Sequence, residues 1–68
     1  MLLAIHEESG RLVQVGDKVR DFRGEYATVT GFLAPSGGST GRVYVGDSRG
    51  YYPSVFGIVL KVVEDVQD

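Results

Sequence analysis

One histidine, five serines and nine carboxylates are the side chains of this sequence suited to acid–base or nucleophilic chemistry. His6 stands beside Glu7 and Glu8, with no second histidine and no cysteine in the chain. A transition-metal site typically needs about three or four such ligands, so none is expected. Ser9, Ser36, Ser39, Ser48 and Ser54 all fall in turn contexts, which gives a Ser–His–acid relay nothing to be built on. No two carboxylates are spaced to share a cleft. The glycine-rich stretch "PSGGSTG" (35–41) has backbone N–H groups to offer a phosphate. No lysine follows it, however, and "RVYV" reads as a strand rather than a helix, so a hairpin tip is the better reading. The expectation is a chain that is not an enzyme and holds no cofactor.

The chemistry that remains is recognition. Tyr26, Thr28, Thr30 and Phe32 alternate along one segment and, with Arg42, Tyr44 and Tyr51, make an aromatic and arginine-bearing set. Such a composition suits a protein interface, where aromatic and arginine side chains supply most of the binding energy. It also suits single-stranded nucleic acid, with bases on Tyr26, Phe32 and Tyr44. Lys18, Arg20, Arg23, Arg42 and Arg49 would then face phosphates.

The elements that must carry these residues are strands. Apolar and aromatic runs are cut by glycine-bearing turns every eight to ten residues, with no sustained helical period. Strands are expected at 2–6, 12–15, 18–22, 26–34, 42–45, 51–52 and 57–63, with turns at "EESG", "VGD", "RGE", "PSGGSTG" and "GDSRG". Period two then sets Ala27, Val29 and Leu33 inward with Val43 and Val45. The opposite face takes Tyr26, Thr28, Thr30, Phe32, Arg42 and Tyr44. Reversing the faces would bury Arg42 without a partner. Gly31, in mid-strand, marks a bulge or sharp bend.

At 68 residues the chain is one domain, near the lower limit for a core without staples. It is not basic overall: the formal charge is −2. Residues 11–61 nevertheless hold all seven Lys and Arg against four carboxylates, so a mildly cationic body lies between acidic ends. The weak overall field ranks protein ahead of nucleic acid as partner, because phosphate affinity rests on net neutralisation. No apolar run approaches the ~20 residues of a membrane span, and "MLLAIHEESG" lacks the basic start of a signal peptide. A cytoplasmic protein is expected. "MLLAI" is a short apolar edge strand that could pair with its copy in a homo-oligomer.

Two segments are similar to known small barrels. "GYYPSVF" resembles the ending of SH3 domains, which implies a strand ending at Pro53, a 3₁₀ turn over Pro53–Phe56 and a closing strand. Gly16, Asp17, Val19, Gly24, Ala27, Val29 and Gly31 resemble the KOW-type pattern of ribosome- and polymerase-associated barrels. Together the resemblances cover 15–63, and they imply an all-β, SH3-like barrel of five or six short antiparallel strands. Residues 1–14 would then form an N-terminal strand extension and 64–68 a frayed acidic tail. The combination of "GDKVRDFRG", "GRVYV" and "YYPSVFG" also looks like short proteins encoded by phages of actinobacteria, which implies the host cytoplasm. The chain lacks the tryptophan and the "ALYDY" start of a polyproline-binding SH3 domain. The expected function is therefore a non-catalytic, protein-binding phage accessory module. A KOW-like nucleic-acid contact is the alternative, and a self-associating structural protein the third reading.

Overall fold

The computed structural model describes residues 1–63, and the tail at 64–68 lies outside the described residues. The chain is all-β. Its strands are β1 (Leu2–His6), β2 (Lys18–Arg20), β3 (Tyr26–Leu33), β4 (Arg42–Val45), β5 (Arg49–Tyr51) and β6 (Ile58–Val62), with a 3₁₀ turn at Pro53–Phe56 before the last. They form two antiparallel sheets, one of order β1-β6 and one of order β2-β3-β4-β5. The segment expected as a strand at 12–15 contributes only an isolated bridge between Leu12 and Ile5. Among the described residues no helix is long and apolar enough to cross a membrane.

Both sheets face one core, made of Ala4, Val19, Val29, Val43, Val45, Phe56, Ile58 and Leu60. The residues are small and mostly β-branched, which suits close approach of two short sheets. Val43 is wholly buried and Val29 nearly so. Phe56 fills one end of the core from the 3₁₀ turn, with Tyr51 edge-on against it at 5.8 Å between centroids. Pro53 opens that turn, where its missing N–H costs nothing. Gly57 closes it at φ 66, donating its N–H to the Ser54 carbonyl.

The N-terminal strand is part of this core rather than an appendage, since Ala4 is buried and β1 runs its whole length against β6. The other edge of β1 is covered over part of its length. Its far side accepts the Val13 N–H at the Ala4 carbonyl, and the His6 N–H reaches the Arg11 carbonyl, both at 2.8 Å.

One irregularity decides which side chains face out. Val29 pairs with Val45, yet Gly31 pairs with Tyr44, so Thr30 is an extra residue in β3. A bulge of one residue reverses the in–out alternation beyond it. Phe32 therefore lies across from Val43 and packs against the core, while Leu33 is half exposed. Both reverse the faces expected from strict period two. Tyr51 also pairs with Val43 and packs inward, so it too leaves the outer face.

Candidate binding face

The outer face of the four-stranded sheet is built by register. Lys18 and Arg20 on β2 stand opposite Thr28 and Tyr26 on β3, on either side of the buried Val19–Ala27 pair. Beyond the bulge, Tyr44 on β4 lies between Gly31 on β3 and Gly50 on β5. A Cβ at Gly50 would come within 2.9 Å of the Tyr44 ring, and one at Gly31 within 3.9 Å. The ring thus leans over the bare backbone at Gly50, with its Cδ2 edge in ordinary contact with Gly31. Arg42, two residues before it on the same face, carries its guanidinium 4.1 Å from the centroid of the Tyr52 ring. Arg20 is held similarly over Tyr26, at 5.8 Å.

The electrostatics of this face are simple. Strands β2 to β5 contain Lys18, Arg20, Arg42 and Arg49, and no aspartate or glutamate. The carboxylates of the sheet-forming region, Asp17, Asp21, Glu25 and Asp47, all sit in the loops between strands. Lys18, Arg20, Tyr26, Thr28, Thr30 and Tyr52 are exposed, while Arg42 and Tyr44 are half buried.

The expected binding residues thus divide. Tyr26, Thr28, Thr30, Arg42 and Tyr44 share the outer face with Lys18 and Arg20, whereas Phe32 and Tyr51 belong to the core side. Arg49 pairs with Val45 on the inner-face parity and lines an open groove of about 560 Å³ beneath the β2–β3 loop. Arg23 lies in that loop, 3.5 Å from the Asp21 carboxylate and 3.4 Å from that of Glu25, so its charge is already answered. Tyr52 is the outward residue that strict strand boundaries missed. The signal was the turn: residues 46–48 alone separate the Val45–Arg49 pair, which puts Gly50 beside Tyr44 and Tyr52 beyond it.

The β2–β3 loop, Asp21 to Glu25, is braced. The Asp21 carboxylate accepts the Arg23 N–H at 2.8 Å and the Glu25 N–H at 2.9 Å. Its shielding from solvent pushes the Asp21 pKa up, but the Glu25 and Arg23 N–H bonds and the Arg23 charge outweigh this. The carboxyl is held below its ordinary value. On this frame Phe22 is displayed 80% exposed, with the Arg23 guanidinium 5.9 Å from its ring.

Elsewhere, His6 meets Ser9 at 3.2 Å within a single exposed turn, and the same hydroxyl accepts the Arg11 N–H. That hydroxyl serves the turn. In the 35–41 loop, Ser36 and Ser39 exchange backbone hydrogen bonds around Gly37 and Gly38, so those N–H groups are spent on the hairpin tip. Set against known proteins, the chain matches no family model, no curated protein and no solved structure.

Proposed function

We propose that the chain is a non-catalytic binding module whose working surface is the outer face of the β2-β3-β4-β5 sheet. One observation carries the reading: on a chain of net negative charge, four strands hold four cations and no carboxylate. Three of the four cations, Lys18, Arg20 and Arg42, stand among the tyrosines of one face. Random placement of nine acids and seven bases does not favour such a segregation, and the local field attracts an anionic partner whatever the overall charge. The face has also lost Phe32 and Tyr51, the apolar anchors that favoured a hydrophobic protein contact. What stays is tyrosine, threonine and cation, with Leu33 exposed opposite Arg42.

The test is retention on immobilised heparin, a generic polyanion, at low salt. A chain with a sequence pI near 5.2 has no overall reason to be retained. The wild type is expected to bind and to elute with salt, and the Lys18→Glu/Arg42→Glu variant to pass through. Flow-through of the wild type refutes the reading.

A second reading has its own observation. Phe22, exposed on a braced loop, is a preorganised anchor of the kind that enters a pocket on a partner protein. It uses the hairpin tip rather than the sheet face, so variants of the two surfaces separate the readings.

A further inference from the structure

We infer that the ligand of the outer face is single-stranded nucleic acid, an inference that rests on the sheet face being the working surface. A polyanion alone would need only the cations. The tyrosines give the face a second property, which is planar surface set between positive charges.

Tyr44 is the centre of that argument. Its ring leans over Gly50, where a Cβ would come within 2.9 Å of Cε1, and only its Cδ2 edge borders Gly31, where a Cβ would stand at an ordinary 3.9 Å. A ring in that posture spends one face on the backbone and offers the other as a flat step. Arg42 lies on the same strand two residues away, and its guanidinium covers Tyr52 at 4.1 Å. At the other end of the sheet, Arg20 covers Tyr26 at 5.8 Å. Cation and ring are therefore paired at both ends of the face, and of its three tyrosines Tyr44 is the one with no guanidinium laid over it among the described residues. Bases stack on such planes with little sequence preference, since every base has a π-face. In a duplex those π-faces are already stacked on one another, and the tyrosines would have nothing to receive. An acidic protein surface would satisfy the cations but leave the flat step of Tyr44 unused.

The salt dependence follows from the count of cations on the face. Neutralising about three phosphates of a single strand gives a slope of roughly −2 in log affinity against log salt. Binding should therefore weaken about 20-fold between 50 and 200 mM salt. Loss of one stacking partner should weaken binding about tenfold or more.

The experiment is fluorescence anisotropy of labelled dT12, the RNA equivalent U12 and a 12-base-pair duplex with the full chain at 50 mM salt. It is run beside the heparin column on the wild type, Tyr44→Leu, Gly50→Ala and Arg42→Glu. Tyr44→Leu keeps an apolar cover over the glycines but removes the plane, and circular dichroism checks its fold. The expected result is binding of dT12 and U12 in preference to the duplex. Tyr44→Leu should weaken it about tenfold while heparin retention changes little. If Tyr44→Leu loses the wild-type circular dichroism signal, the same comparison is read from Gly50→Ala, whose added methyl displaces the ring without removing it. Equal binding of duplex and single strand overturns the inference, as does indifference to loss or displacement of the ring. Heparin retention without binding of any oligonucleotide overturns it too, leaves the sheet face as the working surface and points to an acidic protein. Absence of heparin retention brings down the surface reading itself.

Discussion

The two faces of the four-stranded sheet are made by the same strands, residue by residue, yet they are opposite in chemistry. The inner face is Val19, Val29, Val43 and Val45, with Phe32 and Tyr51 closing over it. The outer face is lysine, arginine, tyrosine and threonine with the exposed Leu33, and its Tyr44 ring leans over the glycine at position 50. The inner face is defined by shape, since buried aliphatic surface at close packing leaves no room for change. The outer face is defined by which atoms are left uncovered. Glycine serves both, but differently. Gly41 lets the backbone and the Leu60 side chain close on the core, while Gly31 and Gly50 leave space for a ring outside it.

The strongest way to break the inner side is therefore Gly41→Ala. Gly41 has φ +88, and a Cβ there would collide with the Leu33 carbonyl and come within 2.8 Å of Leu60 Cδ1. Strain at positive φ and a clash against backbone combine, so a loss of about 3 kcal/mol or more is expected in urea unfolding. A loss under about 1 kcal/mol would mean that the 34–41 segment does not close on the core as described.

Next in size is a contrast between neighbours on one strand. Val29 is 1% exposed and Thr28 is exposed, although the two are adjacent. Val29→Ala should cost roughly 1–3 kcal/mol through lost burial and the cavity left behind. Thr28→Ala should stay within about 0.5 kcal/mol. Equal costs in thermal or urea unfolding would show that the two faces are not distinct and that the outer one is covered.

Much of this contrast was legible in the sequence. Glycine-bearing turns and β-branched runs marked β1 and β4 at their observed bounds and the other strands to within a few residues, the SH3 resemblance marked the 3₁₀ turn, and the strand expected at 12–15 is not one. Val29, Val43 and Val45 of the core followed from period two, and so did Tyr26, Thr28, Thr30, Arg42 and Tyr44 on the outer side. The errors have separate physical origins. Period two carries no memory of an extra residue, so a bulge expected near Gly31 was not propagated to Phe32 and Leu33 beyond it. The β4–β5 connection was read two residues too long, as 46–50 instead of 46–48, which left Tyr51 among the outward residues. Arg23, expected among the phosphate-facing cations, lies instead against two carboxylates. Its pairing with both Asp21 and Glu25 depends on the loop folding back on itself through the Asp21 carboxylate.

A finer test acts on the outer face without touching the inner one. Gly50→Ala is compatible with a strand backbone, yet its Cβ would sit 2.9 Å from Tyr44 Cε1, so the ring must lift or turn. Stability should fall by less than about 1 kcal/mol, the ordinary range for a surface change with a movable neighbour. The Tyr44 ring protons and the Gly31 amide should shift together in the NMR spectrum, since the ring leans over Gly50 while its Cδ2 edge borders Gly31. Shifts confined to residues next to position 50 would mean that the ring is not seated across the two strands.

The smallest expected effect on stability belongs to Phe22→Ala, and it sharpens the comparison from outside both faces. Phe22 is 80% exposed and its loop is held by the Asp21 carboxylate, not by the ring, so unfolding should move by no more than about 0.5 kcal/mol. Asp21→Ala should release the loop at the same aromatic content. The native brace should also weaken in acid. The Asp21 pKa is lowered in the folded chain, so its contribution is present above the unfolded value and is lost as pH falls through the folded one. The loop amides of Arg23 and Glu25 report this directly, through faster hydrogen exchange in Asp21→Ala at neutral pH and through an acid titration in the wild type. If Phe22→Ala leaves heparin and oligonucleotide binding intact, the hairpin tip is separate from the sheet face. If it abolishes both, the aromatic tip belongs to the same surface as Arg20 and Tyr26, and the cationic face extends around the end of the sheet.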